Sequence, residues 1–456
     1  MAESMTPAAA CPAFLIAAPA SGQGKTTITA ALARRLVQMG LCVRVFKTGP
    51  DYLDPQVLAQ AAGSPVEPLD LWMAGEAYCR QRLYEAAQEA DLILVEGAMG
   101  IFDGTPSSAD LAVTFGLPLL LLMDVKGMAQ TAAALAAGVA HFRTDLTLAG
   151  LIANGCATER HRELIEEALP TTLPLLANIG RDEAMALPER HLGLVQASEI
   201  EADLETRFEH GASVLAETGL AERLLAYPPV VFHPSTQLST PPAEALAGVT
   251  IAVARDQAFS FIYPANLALL VQMGAQLRFF SPLYDTDLPP CDALWLPGGY
   301  PELHAARLAA NQPMKTALKK VFHKGMPMLA ECGGFLYCLE QLTDYEGQTH
   351  PMLGVLAGEG AMRGRRGCQG MQSAPLPEGT IRGHAHHRSV SHSTPPPLTY
   401  AQRQRHPAPG EAIYRQRGLT ASYLHLFFPH NPEAIARLFR GDQVTSWLQG
   451  MADATE

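Results

Sequence analysis

A glycine-rich loop near the start of the sequence has the residue types and spacing of a phosphate-binding site. Residues 18–27 read Ala-Pro-Ala-Ser-Gly-Gln-Gly-Lys-Thr-Thr. In the related G-x-x-x-x-G-K-[ST] motif, backbone N–H groups cradle phosphates, the lysine reaches the β- and γ-phosphates, and the Ser or Thr hydroxyl binds Mg²⁺. Pro19 stands where that motif has its first glycine, and the alternative is an ordinary glycine-rich turn. The residues predicted to bind ATP are Gly22, Gln23, Gly24, Lys25, Thr26 and Thr27.

Acidic residues follow two later apolar segments, where they could hold the metal ion of a nucleotide. Residues 48–55 read Thr-Gly-Pro-Asp-Tyr-Leu-Asp-Pro, and Glu96 follows the apolar segment 91–95. Open α/β sheets bind ligands at the carboxyl ends of their strands, and carboxylates there commonly hold Mg²⁺. Residues 48–55 could instead be a plain surface turn, and Asp103 could contact metal or substrate or cap a turn. The predicted Mg²⁺ ligands are Thr26, Asp51 and Glu96.

A cysteine in the second half lies where a sharp turn would expose a nucleophile. Cys332 follows the predicted strand 326–330 and precedes a helix predicted to extend to about residue 342. The helix N-terminus would stabilise a thiolate, and a base must take the thiol proton. His425 is one candidate, although it lies in an alternating, strand-like segment where a lone histidine is more often structural. The other candidates, as base or as metal ligands, are His384, His386 and His387.

These residues require a particular order of strands and helices. In the first half, apolar segments of strand length alternate with helical periodicity, for example 13–18 before the loop and 25–39 after it. This alternation predicts right-handed crossovers and a parallel, doubly wound α/β sheet. The longest apolar run, 111–123, is too short to cross a bilayer and is predicted to be a buried strand. The other predicted strands are 42–47, 91–95, 117–125, 148–153 and 173–179.

A proline- and serine-rich segment separates two predicted domains. We expect a linker at 228–246 between domains at 1–227 and 247–445. The second domain restarts the α/β pattern, and Pro-Gly-Gly-Tyr-Pro-Glu at 297–302 follows one of its strands. Paired glycines in that position can direct backbone N–H groups at a developing oxyanion, although Gly-Gly turns are common. The predicted strands of this domain are 249–254, 277–280, 294–296 and 326–330.

The composition favours a globular protein that acts on small molecules. The chain of 456 residues is 48% hydrophobic and 17% charged, and its net charge of −12 argues against a nucleic-acid partner. Neither a signal peptide nor a membrane span is predicted. The eight cysteines are scattered without a C-x-x-C pair, which indicates reduced thiols and a cytoplasmic protein.

Motifs from both halves resemble those of one family. The first half contributes the phosphate loop, Lys-Thr-Gly-Pro-Asp-Tyr-Leu-Asp-Pro and Glu-Gly-Ala-Met-Gly-Ile-Phe-Asp-Gly. The second contributes Pro-Gly-Gly-Tyr-Pro-Glu, Glu-Cys-Gly-Gly and Ser-Tyr-Leu-His. Together they resemble the cobyrinic acid a,c-diamide synthase family, with a cobalamin-pathway class I glutamine amidotransferase in the second half. The resemblance implies a dethiobiotin-synthetase-like P-loop NTPase domain followed by a flavodoxin-like glutaminase domain.

The same resemblance assigns roles in the second half. It implies that Cys332 is the glutaminase nucleophile, that His425 is its base, and that N–H groups near Gly299 and Gly333 hold the oxyanion. Phe427 stands where other class I glutaminases have a glutamate, so the group that orients His425 stays open. A second departure from the family pattern lies at residues 383–389, on either side of the third histidine of the cluster.

The resemblance also implies a reaction. ATP would convert a carboxylate into an acyl phosphate, and ammonia released from glutamine would displace the phosphate to leave an amide. The substrate would be a corrin polycarboxylate amidated at its a and c acetate side chains. The implied partners are these small molecules, without nucleic acid or membrane, and a homodimer stays open. The residues predicted to contact the substrate are Asp51, Tyr52, Leu53, Asp103, Arg190 and His191. For the last two, a structural salt bridge is an equal alternative.

Two kinds of alternative remain. The same chemistry could act on metal-free hydrogenobyrinic acid, on nickel sirohydrochlorin, or on the later corrinoid that cobyric acid synthase amidates. The chain could otherwise be a regulatory ATPase of the partition-protein type. Such proteins carry a second lysine near the start of the loop, where this chain has Ala20 and Ser21.

Overall fold

The computed structural model of the protein describes residues 7–190, 193–194, 200–238, 241–364 and 367–441. For residues 189, 190, 193 and 194 it describes the backbone alone. The chain divides into two compact units, Met1–Leu238 and Ser239–Glu456. Among the described residues, no helix combines the length and the apolar character needed to cross a membrane.

The first unit contains strands that alternate with helices. In chain order, the strands are β1 (Ala9–Cys11), β2 (Ala13–Ala17), β3 (Val43–Thr48), β4 (Glu67–Leu69), β5 (Leu92–Glu96), β6 (Leu119–Asp124), β7 (Leu148–Asn154), β8 (Leu175–Ile179), β9 (Glu189–Arg190), β10 (Gly193–Leu194) and β11 (Val230–Phe232). The helices are α1 (Lys25–Gln38), α2 (Leu53–Ala62), α3 (Glu76–Glu89), α4 (Ser108–Phe115), α5 (Gln130–Phe142), α6 (Glu159–Ala168), α7 (Glu201–Thr218) and α8 (Leu220–Leu225).

Seven of these strands form a parallel sheet in the order β4-β3-β5-β2-β6-β7-β8. The parallel α/β sheet predicted for the first half is therefore confirmed. All five residues of β2 are buried, as expected for a strand covered on both faces. β1 pairs with β11, so residues 230–232 of the predicted linker 228–246 are folded into the first unit.

The strand predicted for residues 111–123 is wrong in its first part. Ser107 starts α4 with a capping box, in which its hydroxyl accepts from the N–H of Asp110 and its own N–H donates to the Asp110 carboxylate. Gly116, with φ of +64°, ends that helix. The side-chain cap satisfies N–H groups that a helix start leaves without partners, and it outweighs the strand preference of the apolar run.

The second unit contains many short strands as well as helices. Its strands are β12 (Thr250–Ala254), β13 (Gln276–Phe280), β14 (Ala293–Leu296), β15 (Met328–Glu331), β16 (Gln341–Thr343), β17 (Thr349–Pro351), β18 (Glu359–Met362), β19 (Cys368–Leu376), β20 (Gly379–His387), β21 (Ser389–His392), β22 (Thr399–Arg403), β23 (Pro409–Gln416), β24 (Leu419–Ser422) and β25 (Leu424–Leu426). Its α-helices are α9 (Pro264–Gln272), α10 (Ala305–Ala310), α11 (Gln312–His323), α12 (Gly333–Cys338) and α13 (Pro432–Arg440). Short 3₁₀ helices lie at Pro301–His304 and Phe428–His430.

The ten-stranded sheet of this unit has the order β13-β12-β14-β15-β24-β23-β22-β19-β20-β25. The first five strands of this sheet are parallel. When they are numbered by their order in the chain, their order in the sheet is 2-1-3-4-5, as in flavodoxin-like folds. The remaining strands are antiparallel. Only Tyr423 separates β24 from β25, yet β25 pairs with β20 at the far end of the strand order. The sheet must therefore curl, which brings β20 close to β15 and β24.

The helix predicted to extend to about residue 342 ends earlier. α12 ends at Cys338, and β16 follows at Gln341–Thr343. The backbone of Glu340 donates to Gly358 and accepts from Met352, both at 2.9 Å. These partners lie outside the helix, so tertiary hydrogen bonds replace the next helical turn.

Candidate active sites

The phosphate loop of the first unit is anchored to two neighbouring strands. The side chain of Asn154, at the end of β7, donates to the carbonyl of Gln23 at 3.0 Å. The amide oxygen of Gln23 accepts from the backbone N–H of Asp124, at the end of β6, at 2.8 Å. Gly24 has φ of +91°, and a Cβ atom there would lie 2.6 Å from Asn154 Nδ2. This position therefore requires glycine for both conformation and space.

Lys25 is held over the loop by backbone carbonyls. Its Nζ donates to the carbonyl of Met99 at 2.8 Å and to that of Ala20 at 3.3 Å. Burial lowers the pKa of Lys25, and the charge of nearby Lys47 lowers it further. Carbonyl dipoles hold the ammonium without neutralising it, so its charge is available to an anion in the loop.

Four polar side chains meet beside the start of α1. The hydroxyl of Thr26 donates to Glu96 Oε1 at 2.8 Å and to Asp54 Oδ2 at 3.3 Å. Lys47 Nζ lies 2.7 Å from each of these two carboxylate oxygens. The sequence predicted Thr26 and Glu96 here but missed Lys47 and Asp54. Lys47 could have been found, because it is the penultimate residue of β3 and stands next to Glu96 of β5 in the parallel register.

The donor set fits a magnesium ion. Glu96 is fully buried, and its Oε2 makes no hydrogen bond to any described residue. A buried carboxylate oxygen without a partner is costly unless a cation compensates it. Burial raises the pKa of Glu96, and the Lys47 ammonium opposes that shift. With Thr26 and Asp54 alongside, the oxygens are the hard ligands that Mg²⁺ prefers.

Asp51, the third predicted metal ligand, caps the first turn of α2. Its Oδ1 accepts from the N–H groups of Leu53 at 3.0 Å and Asp54 at 3.4 Å. Burial and the neighbouring Asp54 carboxylate raise the pKa of Asp51, and the Lys47 charge opposes them. The carboxylate lies in the same cluster as the other candidates, and its metal contact stays a prediction.

The residues predicted to contact the substrate differ in how exposed they are. Tyr52 and Leu53 are 7% and 6% exposed, which leaves little of either side chain for a ligand to contact. Asp103 is exposed, and its Oδ2 accepts from the N–H of Gly100 at 3.1 Å, as a turn cap would. Arg190 lies in β9 with its backbone alone described, and His191 lies outside the described residues. Their roles stay predictions.

In the second unit, Cys332 lies on a strained turn between β15 and α12. Its φ of +45° and ψ of −100° are unusual for a residue with a side chain. Its N–H donates to the carbonyl of Ser422 at 2.8 Å, and its Sγ lies 4.0 Å from the carbonyl oxygen of His386. Burial and then the charge of Glu302 raise the pKa of the thiol. The thiol is therefore protonated, and attack requires a base.

The two glycines predicted to form the oxyanion site lie side by side. A Cβ atom on Gly333 would lie 2.9 Å from the backbone nitrogen of Gly299. A Cβ atom on Gly334 would lie 2.1 Å from the carbonyl oxygen of Leu296, and one on Gly299 would lie 2.1 Å from that of Ala258. The Pro-Gly-Gly turn thus packs against the nucleophile turn at a separation that side chains would prevent.

The same Pro-Gly-Gly turn contacts the predicted base. A Cβ atom on Gly298 would lie 2.1 Å from His425 Cε1, so the imidazole lies directly against that residue. His425 is 1% exposed and stands opposite His384 in the β20–β25 ladder. Burial lowers the pKa of His425 to about 3, with smaller effects from His386 and His387. The ring is therefore neutral at physiological pH, as a proton acceptor must be.

Glu331 connects the strands that carry the two predicted catalytic residues. Its Oε1 accepts from the N–H of Leu426 at 2.7 Å, and its Oε2 accepts from Trp295 Nε1 at 2.9 Å. Burial raises the pKa of Glu331 to about 8. Sequence reasoning missed this residue, although it directly precedes the cysteine. Phe427, where other class I glutaminases have glutamate, is fully buried.

Glu302 is a second acidic residue that sequence reasoning left without a role. It ends the Pro-Gly-Gly-Tyr-Pro-Glu motif, is 7% exposed, and has a pKa raised to about 7 by burial. Its charge has the largest electrostatic effect of any side chain on the Cys332 thiol.

Two protein families match the chain, one in each unit. Residues 14–195 match the CobQ/CobB/MinD/ParA nucleotide binding domain, and residues 250–433 match the CobB/CobQ-like glutamine amidotransferase domain. Hydrogenobyrinate a,c-diamide synthase of Stutzerimonas stutzeri (strain A1501) is 51% identical over 431 residues, which cover 94% of this chain and 99% of that protein. The chain belongs to the a,c-diamide synthase family.

Further relatives carry two related names. Hydrogenobyrinate a,c-diamide synthase of Pseudomonas aeruginosa is 49% identical over 433 residues, covering 94% of this chain and 98% of that protein. Cobyrinate a,c-diamide synthase of Herminiimonas arsenicoxydans is 45% identical over 427 residues, covering 93% and 96%. The family and the two-domain fold class predicted from the sequence are confirmed. The amidotransferase match also excludes the partition-type ATPase, which has no such half.

Proposed function

We propose that the protein uses ATP and glutamine to amidate the a and c acetate carboxylates of cobyrinic or hydrogenobyrinic acid in cobalamin biosynthesis. The observation that carries this proposal is the match to diamide synthases over both units, at up to 51% identity. The geometry supports it, because one unit has an anion-binding loop with an acidic cluster and the other has a cysteine turn beside a buried neutral histidine.

The first unit would activate the carboxylate. A carboxylate oxygen attacks the γ-phosphorus of ATP, the bond to the β-phosphate oxygen breaks, and an acyl phosphate and ADP result. Lys25 and the N–H groups of the loop would stabilise the phosphates. Thr26, Glu96 and the aspartates beside them would hold Mg²⁺, which neutralises charge on the phosphoryl group. Ammonia then forms the amide bond and phosphate leaves.

The second unit would release the ammonia. His425 accepts the thiol proton as Cys332 sulfur attacks the glutamine carboxamide carbon, and N–H groups near Gly299 and Gly333 stabilise the oxyanion. The proton passes to the departing nitrogen, so the C–N bond breaks and ammonia leaves a thioester. Water then cleaves the C–S bond to give glutamate and restore the thiol.

Location and assembly belong to the same proposal. All eight cysteines are free, which supports a reducing compartment and hence the cytoplasm. The predicted partners are the small-molecule substrates, and a homodimer stays a prediction that sedimentation of the purified protein would test.

The test is product analysis by mass spectrometry. The purified protein is incubated with ATP, Mg²⁺ and glutamine, and with either the cobalt-containing or the metal-free corrin acid. We expect a product that carries two amide groups from at least one acid. Absence of any amidated product from either acid would overturn the proposal, and amidation of one acid alone would identify the substrate.

A further inference from the structure

Three side chains with metal-binding atoms meet at one end of the antiparallel part of the second sheet. Cys368 begins β19, His387 ends β20, and these two residues stand directly opposite each other in the ladder. Glu411, in β23, completes the group. One ligand atom of each residue lies within 4.8 Å of those of the other two. No step of the proposed reaction uses this cluster.

The histidine of the cluster is oriented as a metal ligand. His387 Nδ1 donates to the carbonyl of Ser389 at 3.1 Å, so in the neutral ring Nε2 carries the lone pair. Nε2 is buried, lies 3.5 Å from Glu411 Oε1, and makes no hydrogen bond to any described residue. A lone pair that faces a carboxylate is unfavourable unless a cation or a proton lies between them. A backbone carbonyl on the other ring nitrogen is a common partner of a metal-bound histidine.

The neighbours of the cluster fix its shape. The ring of His387 stacks on Tyr423, with centroids 3.8 Å apart and planes 7° apart. The backbone N–H of Glu411 donates to Gln372 Oε1 at 2.8 Å. Both Cys368 and Glu411 are half-buried, so an ion can reach them from solvent. Arg403 interacts electrostatically with both and is the charge that opposes a cation here.

The ligand types indicate the metal. A thiolate, an imidazole and a carboxylate together favour Zn²⁺ over Mg²⁺ or Ca²⁺, which prefer oxygen. Tetrahedral Zn²⁺ with bonds of about 2.0–2.3 Å has ligand atoms about 3.3–3.8 Å apart. The 3.5 Å between the imidazole and carboxylate atoms already lies in this range. The sulfur lies within 4.8 Å of both, so a side-chain movement of at most about 1 Å would bring it into range.

We propose that Cys368, His387 and Glu411 form a binding site for Zn²⁺, with the fourth position left to water. The site lies close to the glutaminase centre, because the carbonyl of His386, the preceding residue, is 4.0 Å from Cys332 Sγ. An ion held by His387 would therefore fix the strand end beside the predicted nucleophile.

Cobalt titration tests the site independently of amidation. Co²⁺ replaces Zn²⁺ and gives a thiolate-to-metal charge-transfer band only when a cysteine sulfur binds it. The full-length protein would carry Cys332→Ser, so that the nucleophile cannot supply the thiolate, and would be reduced and metal-free. We expect the band to saturate near one Co²⁺ per chain and to disappear on addition of about one equivalent of Zn²⁺.

Variants identify the ligands. Cys368→Ser should abolish the band, and Glu411→Gln should weaken Co²⁺ binding by at least about tenfold. Cys291→Ser, which removes a half-buried thiol of the same unit outside the cluster, should change neither. Circular dichroism would check that each variant is folded. The proposal is overturned if the parent shows no band, which would mean that a proton alone links the imidazole and the carboxylate, or if the band survives Cys368→Ser.

Discussion

Glu331 Oε1 accepts a hydrogen bond from the backbone N–H of Leu426 at 2.7 Å. The first residue directly precedes Cys332, and the second directly follows His425. One buried carboxyl group thus fixes the strand of the predicted base relative to the turn of the predicted nucleophile. Other class I glutaminases have glutamate where this chain has Phe427. Here the hydrogen bond from Leu426 to Glu331 positions the strand that carries His425.

Glu331→Gln should reduce glutamine-dependent turnover. The amide retains one acceptor but turns an N–H group toward Leu426 or Trp295, which leaves a buried donor without a partner. We expect a loss of about 1–3 kcal/mol in the free energy of unfolding. A displacement of His425 by about 1 Å would lower kcat about 100-fold. Steady-state kinetics with glutamine and with ammonium chloride would show whether only the former falls. Equal losses with both nitrogen sources would contradict a role confined to the glutaminase.

Gly298→Ala should disrupt the glutaminase centre through one methyl group. The new Cβ atom would lie 2.1 Å from Cε1 of the buried His425 ring, so either the ring or the turn must shift. We expect glutaminase activity to fall at least about 100-fold while ammonia-dependent amidation persists. Gly364→Ala is the matched control, since a Cβ atom there would meet nothing within 4 Å. Full glutaminase activity in Gly298→Ala would show that His425 is not held where the geometry requires.

Lys25→Ala should stop amidation with either nitrogen source, because carboxylate activation precedes ammonia attack in both. Glutamine hydrolysis, measured separately as glutamate release, should persist. Lys47→Met should differ by also destabilising the protein, by about 3–5 kcal/mol, because it leaves the buried carboxylate of Glu96 without its ion pair. Undiminished amidation in Lys25→Ala would reject the ATP site.

The buried histidine should make the protein less stable in acid. The pKa of His425 is about 3 in the folded protein and about 6.5 in an unfolded chain, so the unfolded state binds more protons as the pH falls. This difference lowers the free energy of unfolding progressively between pH of about 6.5 and about 3. The decrease amounts to about 2 kcal/mol between pH 7 and pH 5. Urea unfolding of the parent and of His425→Asn at both pH values would measure it, because burial also lowers the pKa of His384, His386 and His430.

His425→Asn should reduce this acid dependence, whereas His392→Asn, at an exposed position of the same unit, should leave it unchanged. An acid dependence that is identical in His425→Asn and the parent would contradict the buried, neutral state of the imidazole.

The sequence predicted the elements whose residues interact over short distances. The phosphate loop, the strand before it and the glycines around Cys332 each have a local pattern, because turns and anion binding depend on glycine at fixed positions. The α4 helix was missed because its capping box outweighed an apolar run that favours a strand. Lys47 and Glu331 were missed for a different reason, since their partners lie 49 and 95 residues away in the chain. Only the folded arrangement of the strands brings these two side chains to their partners.

The central claim is that one chain carries two separate chemical sites, and Cys332→Ala tests it most directly. We expect this variant to lose glutamine-dependent amidation while it amidates the corrin acid with ammonium chloride at the parent rate, because the first unit does not need the thiol. The measurement is diamide product per minute with each nitrogen source. Loss of both activities in a folded Cys332→Ala protein, or retention of both, would contradict the account.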